Sequence, residues 1–247
     1  DAVTASQFTA AALAGALDVC ADPVRAAHSQ RYFKTGPGEY GEGDRFLGLP
    51  VPLTRGIVKA HRGLPVNEAL LLLASPIHEH RLAALLSLVQ TMELARRRGD
   101  EERADHVHEA YLSALRAGQV NGWDLVDTSA ERLAGDHWRL GRVSTGSIDA
   151  LAASESLWER RVAMVSTFSW IKAGYADPTL RIATVLLGDR EDLIHKAAGW
   201  MLREVGTRIS PDLLTGYLDV TAGAMPRTML SYAIEKLTPT QKAHYRA

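Results

Sequence analysis

The 247-residue sequence has one cysteine, Cys20, so it can neither close an internal disulfide nor build a thiolate metal site by itself. It also lacks any apolar run of the roughly 18 to 20 residues that a membrane-spanning helix needs. The longest, Ala69 to Ala74, is far shorter. An excess of either charge is missing too. With 28 Lys plus Arg against 29 Asp plus Glu, any attraction to a polyanion must come from local arrangement of charge. The opening Asp1-Ala2-Val3-Thr4 shows neither the positive region nor the apolar stretch of a signal peptide. These absences exclude a disulfide scaffold and a membrane partner, and lead us to expect a cytoplasmic chain.

Several chemical signatures are absent as well. The glycine-rich stretch from Lys34 to Pro52 has no terminal Lys-Ser/Thr, and its Glu39, Glu42 and Asp44 would repel phosphate. It reads as a flexible connector. His78-Glu79-His80 and His106-Val107-His108 look metal-like, but residues two apart on a helix point about 200° apart. They read as surface or capping histidines, and no metal or other cofactor is expected. No Gly-x-Ser-x-Gly elbow occurs, and Cys20 is read onto the apolar face of the first helix.

What is present is helical periodicity. Apolar residues recur at three- and four-residue spacing, with helices expected near 5–20, 23–32, 50–61, 65–74, 76–98, 100–117, 122–134, 147–153, 155–173, 178–187, 190–206, 211–221, 226–236 and 239–245. Ser75-Pro76 reads as a cap before a first-turn proline, and Asn121 with Asp124 as a capping-box-like pair. Taken in pairs, the segments make units of about 35 to 45 residues, the period of HEAT-like hairpins stacked into a solenoid. A compact all-α bundle is the alternative. No interdomain linker is legible, so residues 1–247 are expected to form one domain.

Four places break the expected pattern. In the helix near 190–206, Ile194, Ala197, Ala198, Met201, Leu202 and Val205 form an apolar face, while Lys196, Trp200 and Arg203 line the opposite one. Gly199 beside them suggests a close approach, and the tryptophan either meets a ligand or is covered by a neighbouring repeat. In the helix near 122–134, Trp123 and Asp127 are one turn apart on one edge, and Asp127 alone would also suit a solvated surface. Arg161 falls in an apolar stripe with Met164, Val165 and Phe168, while Arg160 points toward Thr167. Arg227 stands in a helix first turn, where the dipole disfavours a cation unless an anion or a nearby acid joins it. Aromatic faces, one carboxylate and isolated cations suit a polyanion with a reactive sugar carbon. If the leaving base is already cationic, as an N-alkylated purine is, the second carboxylic acid usual in sugar hydrolysis is not needed.

Ordered motifs carry a family resemblance: Tyr32 to Gly36, Gly41 to Gly48, Ser75 to Arg81, Asn121 to Asp127, Leu157 to Arg161, His195 to Glu204 and Met225 to Leu230. Together they resemble the bacterial DNA alkylation repair family of AlkD-like alkylpurine DNA glycosylases, from about Tyr32 onward. The resemblance implies an all-α, HEAT-like solenoid of about six hairpins with a concave groove for double-stranded DNA. It further implies excision of cationic N3- and N7-alkylpurines without base flipping, by a monomer that is nucleoid-associated. It makes Asp127 the catalytic carboxylate, Trp123 and Trp200 the pair against the lesion's sugar and backbone, and Arg161 the active-site arginine near the phosphate. Extending the assignment, Lys196, Arg203 and Arg227, with Tyr32 and Lys34 from the first motif, are expected to contact DNA. The acidic glycine-rich loop matches a widespread branch of the family, and some relatives bind DNA without base excision. A non-catalytic HEAT-repeat module binding distorted or branched DNA or a protein partner is therefore the alternative function.

Overall fold

The computed structural model describes residues 8–246. Among them the fold is all-α: no β-strand forms, and Arg45 and Ile77 make an isolated bridge. No helix is long and apolar enough to cross a membrane among the described residues. The chain divides into two compact units, Asp1–Ser129 and Ala130–Ala247.

The first unit contains α1 (Ala10–Asp18), α2 (Pro23–Tyr32), α3 (Val51–Ala60), α4 (Val66–Leu73), α5 (His78–Arg98), α6 (Glu101–Arg116) and most of α7 (Trp123–Ala130). Side-chain caps set several starts. Thr9 accepts from the Ala12 amide, Asp22 from Val24 and Arg25 ahead of a first-turn Pro23, and Asp100 from Arg103. Ser75 lies two residues ahead of its expected cap position, which Ile77 occupies. Its hydroxyl accepts from the Ile77 amide at 3.1 Å, and α5 begins only at His78. That helix ends at Gly99, in the left-handed region at φ 69°, after Arg96, Arg97 and Arg98 have placed positive charge on its carbonyl end. Consecutive helices pack as hairpins, α4 on α5 and α5 on α6. Leu13, Leu17, Leu73, Leu85, Leu88, Met92, Val107 and Leu125 fill the core. Cys20 lies in the turn after α1, not on a helix face, because α1 stops at Asp18.

The second unit contains a π-helical turn at Glu131–Gly135, then α8 (Asp136–Arg139), α9 (Gly146–Ala152), α10 (Leu157–Ser166), α11 (Phe168–Lys172), α12 (Asp177–Val185), α13 (Asp192–Arg208), α14 (Pro211–Thr221), α15 (Arg227–Ala233) and α16 (Pro239–Arg246). Two departures from the sequence expectation are local. The π turn follows Ala130, whose carbonyl accepts from the Ser166 hydroxyl at 3.3 Å, and it closes with the Asp136 amide donating to the Glu131 carbonyl. The helix expected over 155–173 breaks at Thr167, whose hydroxyl donates to the Met164 carbonyl at 2.7 Å and whose amide takes the same carbonyl. The centre of this unit is α13, packed on α10, α14 and α15. Its apolar stripe, Ile194, Ala197, Ala198, Met201, Leu202 and Val205, is wholly buried as the periodicity predicts.

Candidate active site

Helix α7 carries Trp123 at its first position and Asp127 one turn later, while Leu125 and Val126 are buried. Trp123 and Asp127 thus share one helix edge and both are half-buried. The indole lies flat on Phe33, with ring centroids 5.4 Å apart and planes 11° apart. The edge of Tyr32 meets the indole at 6.2 Å, and Tyr32 itself is 60% exposed. Two residues further on, exposed Lys34 adopts a left-handed backbone at φ 51°, with its carbonyl accepting from the Gly41 amide at 3.1 Å. Tyr32 and Trp123 therefore sit together in the first unit, and Lys34 follows them at the start of the loop. Under Asp127, fully buried Tyr111 lies 3.0 Å from the Ser129 hydroxyl. Burial pushes its phenol upward and the nearby Asp127 charge pushes it further, against that hydrogen bond. Tyr111 escapes a sequence reading because it falls on the apolar face of α6 with Val107 and Leu115.

The Ser75 to Arg81 motif overturns two expectations. His78, Glu79, His80 and Arg81 are all buried, so His78 and His80 are not surface residues. His78 bridges Asp44 through Nδ1 at 2.8 Å and Asp124 through Nε2 at 2.7 Å. Glu79 accepts from the amides of Leu47, Gly48 and Leu49, and His80 bonds Asp18 and Ser75. Arg81 donates to Asp44 and to the Ser75 carbonyl. Of the second pair, His106 is exposed and His108 buried.

The loop that read as a flexible connector is in fact strapped down. Glu39 accepts from the Gly36 amide and Glu42 from Gly38, so those acids serve the loop's own backbone, while Asp44 serves His78 and Arg81. Gly48, at φ 84°, sits directly against the Asp22 carbonyl and the Ala26 amide at the start of α2, where no side chain fits. Asp124 is likewise not a mere capping partner of Asn121, because its carboxylate is taken by His78.

In the second unit, Arg161 is 4% exposed and donates to the Leu193 carbonyl of α13, with Met164 and Val165 buried on the same stripe. Arg160 does not reach toward Thr167. Its guanidinium binds Asp189 with Nε 2.6 Å from the carboxylate and also donates to the Ser154 and Glu155 carbonyls. Trp200 is half-buried, 6.0 Å from the Phe168 ring. Gly199 marks a close approach as expected, but what approaches is α15 of the same unit, through the Met229 carbonyl and Tyr232. Lys196 and Arg203 flank Trp200 already paired, Lys196 with Asp192 at 2.8 Å and Arg203 with Glu235 and Glu204. Exposed Arg227 begins α15 and, with Arg246 and Tyr245, lines a cavity of about 320 Å³. Nothing in the sequence points to Arg246, because it reaches the Arg227 cavity from the following helix, α16. Among the described residues no group of three His, Cys, Asp or Glu side chains is placed to hold a metal ion.

A family profile described as DNA alkylation repair enzyme matches residues 13–237. A solved structure described as a predicted DNA alkylation repair enzyme from Enterococcus faecalis superposes with a TM-score of 0.64. That similarity covers 89% of this chain and 97% of the other at 17% sequence identity, so it bears on the fold. Among curated proteins, no relative matches the sequence.

Proposed function

The chain belongs to the family of DNA alkylation repair enzymes, and from that premise we propose that it is a monofunctional DNA glycosylase hydrolysing the N-glycosidic bond of cationic N3- and N7-alkylpurines in duplex DNA. The observation that carries the reading is the Trp123 and Asp127 edge of α7, a carboxylate one turn from an aromatic face with exposed Tyr32 beside it.

The chemistry asks little of the protein beyond that carboxylate. As the bond from C1′ to the alkylpurine nitrogen breaks, the electron pair leaves with the base, which departs neutral because it began as a cation. No general acid is required. Positive charge grows on the deoxyribose, and a fixed carboxylate stabilises it more in the transition state than in the substrate. Asp127 takes that role, orients the water that adds to C1′ and accepts the proton that water gives up as the C1′ hydroxyl forms. Trp123 lies against the sugar. Arg161 and Trp200 are assigned to the phosphate and the lesion's backbone by the motif positions they occupy. Lys196, Arg203, Arg227, Tyr32 and Lys34 are assigned to backbone contacts, and Arg246 joins them through its shared cavity with Arg227. The protein acts as a monomer without a cofactor.

Release of 7-methylguanine or 3-methyladenine from methylated duplex DNA tests the reading. Activity in the wild type and its loss in Asp127→Asn is the expected result. Wild-type rates in Asp127→Asn remove the assigned role, and salt-dependent DNA binding with no base released from any alkylated substrate replaces the enzyme with a binding module.

A further inference from the structure

The start of α5 holds a buried histidine between two acids. His78 is 3% exposed. Its Nδ1 faces Asp44 Oδ2 at 2.8 Å and its Nε2 faces Asp124 Oδ2 at 2.7 Å. Carboxylates at these distances accept, so a ring that satisfies both must donate through both nitrogens, which is the imidazolium. The charges balance around it. Asp44 comes from the loop, Asp124 from α7, and Arg81 from α5 itself, its guanidinium on Asp44. Neighbouring Glu79 is occupied by the loop amides of Leu47, Gly48 and Leu49. Within the directly bonded set of Asp44, Asp124, Arg81 and His78, the charges cancel only while His78 carries its proton.

The same ring is the base of an aromatic pile that ends at Trp123. Phe46 stacks on His78 at 4.7 Å and 23°, Phe33 lies 4.9 Å from His78 and 5.0 Å from Phe46, and Trp123 lies flat on Phe33. The histidine thus reaches the first turn of α7 by two routes, a hydrogen bond to Asp124 and a stack beneath its neighbour Trp123. Gly122 completes the fit: a Cβ there would lie 3.3 Å from the imidazole and 3.1 Å from the Asp124 carboxylate.

We propose that His78 is a positioning residue, which fixes the indole of Trp123 beside Asp127 by tying the start of α7 to the loop. The proposal rests on the reading that Trp123 and Asp127 meet the lesion. Loss of the charged ring releases Asp124 from Asp44 and removes the floor of the stack, so Trp123 changes pose while the outer DNA contacts remain. The effect then falls on the rate of base release and not on DNA affinity.

The test uses the full chain labelled with 5-fluorotryptophan, whose five resonances are assigned by substitution, Trp123 by Trp123→Phe. In His78→Gln the Trp123 fluorine resonance is expected to move. Single-turnover release of 7-methylguanine is expected to fall about tenfold or more, with DNA Kd held within about twofold. An unmoved Trp123 resonance with an unchanged rate overturns the proposal. If the wild type releases no base, the glycosylase reading fails and the fluorine shift alone still decides the role of His78. Should His78→Gln not fold, the wild type decides it. The His78 ring protons and the Trp123 fluorine following one titration curve support the proposal, and a flat Trp123 resonance while His78 titrates overturns it.

Discussion

Trp123 lies parallel to Phe33, 11° between planes and 5.4 Å between centroids, so one face of the indole is already occupied by the protein. Tyr32 meets the indole as well, at 70° and 6.2 Å between centroids, so a substrate has only the indole surface that these two rings leave uncovered. An aromatic pair of this kind contributes roughly 0.5–1.5 kcal/mol beyond its buried area. Phe33→Ala is expected to destabilise the protein by about 2–4 kcal/mol, since it removes a ring that touches Tyr32, Phe46, His78 and Trp123. Phe33→Leu, which keeps apolar bulk without a flat surface, should cost less stability yet still lower base release. Urea unfolding and single-turnover rates on methylated DNA separate the two losses.

The buried His78 makes stability depend on pH. Burial works against its charge, but hydrogen bonds to Asp124 and Asp44 and their negative charge raise its pKa from 6.5 to about 9. Its contribution is complete below the unfolded value and is lost as pH rises through the folded one. The loss across that window is on the order of 3 kcal/mol. At the acid end, Asp44 is buried, which alone would raise its pKa, yet His78 and Arg81 hold it below the usual carboxylate range. Its contribution is complete above that range and is lost as pH falls through the lowered value. Urea midpoints measured against pH should decline on both sides, and Asp124→Asn should flatten the alkaline limb.

These dependences concern residues the sequence could not connect. Helix positions are legible because their signals are local: the apolar spacing over 23–32 and 211–221 and the α13 stripe can each be read within a few residues. The polar hub is not local. His78 lies 34 residues from Asp44 and 46 from Asp124. Periodicity misleads there as well, since His78, Glu79, His80 and Arg81 point in four directions and all are buried. A helix start enclosed on every side has no solvent face for a moment to reveal. The Trp123 and Asp127 edge could be read because both residues share one helix, whereas Phe33 beneath the indole could not.

Arg160 and Arg161 are adjacent but predict different losses. Arg160 holds Asp189, whose side chain is 5% exposed, so Arg160→Ala leaves a nearly buried carboxylate without its partner. A loss of about 3 kcal/mol in stability is expected, with base release per folded molecule unchanged. Arg161→Met keeps the alkyl bulk in the apolar stripe and removes the guanidinium assigned to phosphate. Its stability should change less, while release of 7-methylguanine falls about tenfold or more. Thermal melts beside single-turnover rates check both, and equal rates in the two variants would remove Arg161 from the proposed site.

Gly199 and Gly216 both lie inside helices and differ in what surrounds them. A methyl at Gly199 meets the Met229 carbonyl and the Tyr232 Cβ of α15, neither of which is the end of a flexible chain. The overpacking cost of about 1–3 kcal/mol exceeds the gain in helix propensity of about 1 kcal/mol, so Gly199→Ala should destabilise. Gly216 in α14 has open space where a Cβ would stand, and Gly216→Ala should stabilise by about 0.5–1 kcal/mol. Urea unfolding of the two variants gives opposite signs if α15 is what fixes glycine at position 199.

Cations assigned to DNA differ in what they must give up to bind it. Each phosphate neutralised steepens the fall of log K against log salt by about 0.9. Exposed Arg227 shares its cavity with Arg246, and Arg227→Ala should reduce that slope by about 1. Arg203 is held by Glu235, an exposed carboxylate whose pKa the guanidinium's hydrogen bond and charge lower. A phosphate must displace that acid, so Arg203→Ala should reduce the slope by less than Arg227→Ala does. Glu235→Gln removes one of the two acids on the arginine, leaving Glu204, and should tighten DNA binding. Lys196 and Asp192 form the same kind of pair one turn apart. Fluorescence anisotropy with a labelled duplex across a salt series measures every slope. Equal slopes for Arg203→Ala, Arg227→Ala and wild type would remove both arginines from the DNA contact.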